Sequence, residues 1–151
     1  MDKSRYLLEL EIEQLQRRLD ADPEHVLALA EQCLVRSKQI HFNEGAIQCL
    51  LLMSHCADRL SNHQRGIKLA KEALSTQHDL DTDEYLPEIL HLHAIHSWGE
   101  KKYYTAQQYW INALEQAALE EDVESELECL MGLGNVWRVT NQLPFAAATH
   151  E

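Results

Sequence analysis

GIKLAKEAL, residues 66–74, lies 40 residues after VLALAEQCL (26–34) and 40 residues before AQQYWINAL (106–114). Aligned, the three stretches place Val26, Gly66 and Ala106 together, a site that Ala146 continues. Four residues on stand Ala30, Ala70 and Trp110, and then Cys33, Ala73 and Ala113, each followed by a leucine. A fixed period between 20 and 50 residues marks an array of like supersecondary units. Such units cannot bury their apolar faces alone, so they stack and share a core, leaving a continuous face for a partner. The period therefore predicts an all-α stack of antiparallel helix pairs whose work is binding.

Composition agrees. The 151 residues hold 5 glycines and 3 prolines, and Leu, Ala, Glu and Gln, all good helix formers, dominate. The net charge of −12 disfavours nucleic acid, which demands a basic footprint, and anionic membrane surfaces. A basic ligand would suit it better, although an acidic solvated surface is the commoner explanation of such a charge. Cys33, Cys49, Cys56 and Cys129 form no CxxC pair and read as buried free thiols, in keeping with a reducing cytoplasm. MDKSRYLLELEIEQ carries acids within its apolar stretch and is no signal peptide. No apolar run is long enough to span a bilayer. The expectation is a cytoplasmic protein.

Local signals divide the chain into helices. The first runs from Ser4 to Asp20, with Leu8, Ile12, Leu15 and Leu19 at helical spacing. Asp22-Pro23 caps and opens a second, to about Lys38. Asn43 caps a third, Glu44 to about Leu60, and Ser61-Asn62 separates it from a fourth, His63 to Gln77. Asp81 and Glu84 have the spacing of a capping box for a fifth, about Asp83 to Trp98, which Gly99 stops. Lys101 to Ala118 and Val123 to Val139 form the sixth and seventh, and Pro144 opens an eighth. The units are then about 3–40, 43–78, 83–118 and 123–151.

At this point the residues resemble a known family. In LMGLGNVWRVTNQLPFAAA (130–148), Leu130, Leu133-Gly134, Trp137, Asn141 and Ala146 fall in order on the large, Leu-Gly, aromatic, turn and alanine sites of the tetratricopeptide repeat. Leu90, His93-Ala94, Tyr103, Ala106, Trp110 and Ala113 match in the unit before. Leu50, Met53-Ser54, Gly66, Ala70 and Ala73 match more loosely in the one before that. The first pair departs, since Glu13-Gln14 occupy its large-small position. The period of 40 exceeds the family's common 34, and armadillo or HEAT-like repeats share that longer period. The resemblance implies a right-handed α-α superhelix that binds a protein or peptide. In style it is similar to the sensory halves of some diguanylate cyclases and transcription regulators, so the chain is expected to be part of a longer signalling protein.

By the same resemblance, the first helix of each pair lines the concave groove. The groove residues would be Leu51, His55 and Asp58; His91, Ile95 and Trp98; and Met131, Asn135 and Arg138, with Trp98 the leading anchor unless it packs on the next repeat. The lysine-based carboxylate clamp of chaperone-binding members is missing, because Leu51 and His91 stand at its sites. A second reading is self-association into a homodimer through end repeats, with Phe145 at the contact.

Enzyme chemistry finds little support. HLHAIH puts His93 and His96 one turn apart, where they could share a metal, while His91 points elsewhere; packing is the plainer reading and no metal site is assigned. Asp79, Asp81 and Asp83 start like a calcium loop, yet Glu84 and Leu90 replace its required Gly and Glu. No phosphate loop or activated nucleophile is present, and no cofactor is expected.

Overall fold

A computed structural model describes residues 3–142. They form seven α-helices and no strand: α1 Lys3–Arg18, α2 Pro23–Gln39, α3 Asn43–Arg59, α4 His63–Gln77, α5 Leu86–Gly99, α6 Tyr103–Leu119 and α7 Val123–Gln142. The eighth helix expected from Pro144, with Phe145 and Ala146, lies outside the described residues. Among the described residues no helix is long and apolar enough to cross a membrane.

The period is visible in the backbone, since α2, α4 and α6 begin at residues 23, 63 and 103. It also has a finer division. His41, Ser61, Lys101 and Glu121 all adopt the left-handed conformation, with φ between 55° and 62°. Each follows a helix end, and each is set in the same hydrogen-bonded turn. The next residue's N–H returns to a carbonyl five residues back: Phe42 to Ser37 and Asn62 to Ala57 at 2.8 Å, Lys102 to Ser97 and Asp122 to Ala117 at 2.9 Å. This is the Schellman arrangement, which satisfies carbonyls that a helix end otherwise leaves open. The residue that closes one helix then serves as the start of the next.

Two local expectations change in consequence. Gly99 is not the stop of α5: it has helical φ, and Lys101 turns the chain. Gly99 is small for a different reason, because a Cβ there would lie 2.3 Å from Nε2 of His63. Asn43 is not a cap either. Phe42 holds that position without a side-chain bond, while Asp22 and Asn62 do cap, accepting from the N–H groups of His25 and Arg65. Two turns depart from the pattern. Between α1 and α2 no residue has positive φ, and Asp22 N returns to Arg18, four residues back, at 3.1 Å. The turn between α4 and α5 is longer. There Gln77 donates to the Thr82 carbonyl, Thr82 Oγ1 accepts from Glu84 N, and helix resumes only at Leu86. No Asp81–Glu84 capping box forms.

Each helix packs on the next in sequence, and α1, α3, α5 and α7 also touch in succession. The odd helices thus form an inner layer and the even helices an outer one. The small repeat sites lie between layers: Ala30, Ala70, Ala73, Ala94, Ala106 and Ala113 are fully buried, as is Ser54. Two apolar clusters result, one centred on Ile12, Ile47, Leu50 and Leu92, the other on Trp110, Cys129 and Val136, with Ile95 touching both. Each large side chain so buried contributes about 1.5–3 kcal/mol. All four cysteines are free and buried.

Candidate functional site

The odd-helix layer carries a cleft of about 530 Å³. Gln16 of α1 and Leu19, just past its end, form one wall, and Gln48, Leu51, Leu52 and His55 the floor on α3. Glu84, Tyr85 and Glu88 stand on the α5 side, and Asp122 and Ser125 on the α7 side. The floor is apolar because α3 is buried along almost its whole length. The walls are polar because the α4–α5 and α6–α7 turns open there. Gln48 donates to the Tyr85 hydroxyl at 3.1 Å, tying floor to wall. Asp122 caps α7, accepting from Ser125 N at 3.1 Å and from Ser125 Oγ at 2.6 Å.

The electrostatics are one-sided. Neither lysine nor arginine lines the cleft, while Glu84, Glu88 and Asp122 do. Glu88 stands at the edge of the cleft, with solvent reaching 46% of its side chain. Lost hydration, aided by the charges of Glu128, Asp122 and Glu124, pushes its pKa up to about 7. His55 Nε2 stands 4.0 Å from Glu88 but does not neutralise it. Burial first, then the neighbouring His91 and Arg59, pushes His55 down to about 4, so it is uncharged at neutral pH.

The structure divides the groove residues of the sequence reading. Leu51 and His55 line the cleft. His91 is a strut: its Nδ1 accepts the Trp110 indole N–H and its Nε2 faces Glu128 at 2.9 Å, joining α5 to α6 and α7. Ile95 packs between the two cores. Trp98 rests on Tyr103 and Trp110, with ring centroids 5.1 and 6.2 Å away, packing on the next helix pair. Met131 and Arg138 are exposed on α7, Arg138 donating to Asn135 Oδ1.

HLHAIH does not act as one cluster. His91 faces Trp110, while His93 stacks on Tyr109 at 4.7 Å with its Nε2 unpartnered. His96 turns inward to Ser54 and His63. One donor atom each from Asp58, His63 and His96 lie within 4.8 Å of one another. His63 escaped the sequence reading because it stands 33 residues from His96 and reads simply as the first residue of a helix.

No protein-family model, curated protein or solved structure matches this chain.

Proposed function

We propose that this chain is a tetratricopeptide-like repeat module, a right-handed superhelix acting as an adaptor or sensory element. Its concave cleft takes a peptide segment of a partner protein that carries a lysine or arginine. The observation that carries the reading is the cleft itself, an apolar floor at Leu51 and Leu52 beneath uncompensated acids at Glu84, Glu88 and Asp122. Glu88, raised to about 7 by lost hydration first and then by the charges of Glu128, Asp122 and Glu124, gains from an incoming cation, which stabilises its ionised form. The apolar floor supplies the area against which an aliphatic stem packs. The family resemblance and the 40-residue register of helix starts support the same reading.

Binding of fluorescent peptides to the full chain tests it. Peptides with one basic residue among apolar ones should bind, with affinity falling as salt rises and at least tenfold weaker in Glu88→Gln. Equal binding of neutral peptides, or no loss in Glu88→Gln, would overturn the assignment.

One observation favours self-association as a second reading. Val123, Leu127, Leu130, Met131 and Trp137 of α7 are each more than half exposed. Contiguous apolar surface of this kind marks contact sites. Light scattering across a hundredfold concentration range should then show a dimer that Trp137→Glu abolishes; a concentration-independent monomer removes this reading.

A further inference from the structure

We propose that Asp58, His63 and His96 bind a divalent transition-metal ion of the zinc class, held between α3, α4 and α5. The inference is independent of the peptide-binding reading.

His96 is already arranged as a ligand. It is fully buried, and its Nε2 stands 3.1 Å from the Ser54 carbonyl, to which only an Nε2–H can donate. That bond fixes the proton on Nε2 and leaves Nδ1 with a free lone pair. Metal-binding histidines are oriented in this way, their second nitrogen giving its proton to a carbonyl or carboxylate. The Nδ1 lone pair points at His63 Nδ1, 2.9 Å away. Asp58 completes the set from the last turn of α3, with all three donor atoms within 4.8 Å of one another. A tetrahedral ion with bonds of roughly 2.0–2.1 Å requires donors about 3.4 Å apart. The two imidazole nitrogens, 2.9 Å apart, stand closer than that and the set as a whole lies within 4.8 Å, so the side chains shift to take an ion.

Both rings are backed by glycine. A Cβ on Gly66 would lie 2.1 Å from the His96 ring, and one on Gly99 2.3 Å from the His63 ring. Two helices thus omit a side chain where an imidazole must lie flat. The Asp58 carboxylate is also paired with Arg59, its Oδ2 accepting from Arg59 Nη1 at 3.0 Å, and an ion would share it with that guanidinium. The imidazole and carboxylate donors, with no thiolate among them, suit zinc, cobalt or nickel. Three protein ligands leave a tetrahedral ion one open position, for water or a donor atom of a bound molecule. His63 and Asp58 are only half-buried, which gives the ion a way in.

The test is equilibrium dialysis of the full chain against zinc alone, followed by cobalt absorption spectroscopy. The expected result is one equivalent retained, with cobalt d–d bands and no thiolate charge-transfer band. Affinity should fall at least tenfold in His63→Gln and stay unchanged in His91→Gln. Asp58→Asn, at a half-buried position, provides a second variant should His63→Gln lose its helical circular dichroism, and it too should bind at least tenfold more weakly. No retained metal, a thiolate band, or undiminished retention in a folded His63→Gln or Asp58→Asn protein would overturn the proposal.

Discussion

The Trp110 indole N–H lies 2.9 Å from His91 Nδ1 and settles which imidazole nitrogen carries the proton. With Nδ1 an acceptor, Nε2 is the donor, and it faces Glu128 at 2.9 Å. One ring therefore links three helices through a single tautomer. Trp110→Phe keeps most of the packing but orphans a largely buried nitrogen, at a cost of about 1–3 kcal/mol. Urea denaturation should show that loss, and nitrogen NMR should show His91 becoming a mixture of tautomers. An unchanged His91 spectrum would contradict the assignment.

Four helix ends place a residue other than glycine at positive φ. The left-handed conformation costs an L-residue roughly 1–2 kcal/mol that glycine escapes, offset in part by glycine's greater freedom when unfolded. Lys101→Gly and Glu121→Gly, both at exposed positions, should each raise stability by about 0.5–1 kcal/mol. Gly99→Ser, at the position that sequence alone marks as the stop, should not.

The two glycines beside the histidine pair should differ in their response to alanine. At Gly66 the new Cβ meets His96, a buried ring held by Ser54, so overpacking should cost about 1–3 kcal/mol. At Gly99 it meets His63, which is half-buried at a helix start and can swing outward. That substitution should cost less than about 1 kcal/mol, and it should break the ring contact. Thermal unfolding and histidine NMR separate the two cases.

Acid should destabilise the fold through its histidines. Burial holds His55, His91 and His93 down at about 4, against roughly 6.5 when unfolded. The unfolded chain then binds more protons between those values, so their contribution is complete above about 6.5 and lost as pH falls through 4. Glu88 acts in the opposite sense. Its pKa, raised to about 7, makes its contribution greatest at low pH and lost as pH rises through 7. The urea midpoint should fall from pH 6.5 to 4, and Glu88→Gln should gain most over the parent above pH 7.

Much of the fold was legible because the 40-residue register is written in small residues, which report close packing directly. The caps at Asp22 and Asn62 were legible because a side-chain oxygen next to a helix start can accept from its open N–H groups. Asn43, with the same local look, falls one residue inside its helix, and Phe42 takes the cap position. What else escaped was set by tertiary contact. Gly99 has the local look of a stop, yet it is small to admit His63 from another helix. His91, His93 and His96 look like a cluster in sequence, but 100° per residue sends them to three different neighbours. In the site, Leu51 and His55 follow from repeat geometry, whereas Glu88 owes its altered acidity first to lost hydration in the fold and then to Glu128, Asp122 and Glu124, far along the chain.

The left-handed turns at 41, 61, 101 and 121 mark a pitch of 20 residues, half the period of the side chains. Backbone and side chains thus count in different units. Adding or removing one 20-residue helix would leave every hydrogen-bonded turn intact while exchanging inner and outer layers for all that follows. Only two helices together restore the faces. The chain therefore has a parity: a splice of two helices keeps its faces, and one that breaks the pair would turn its core outward.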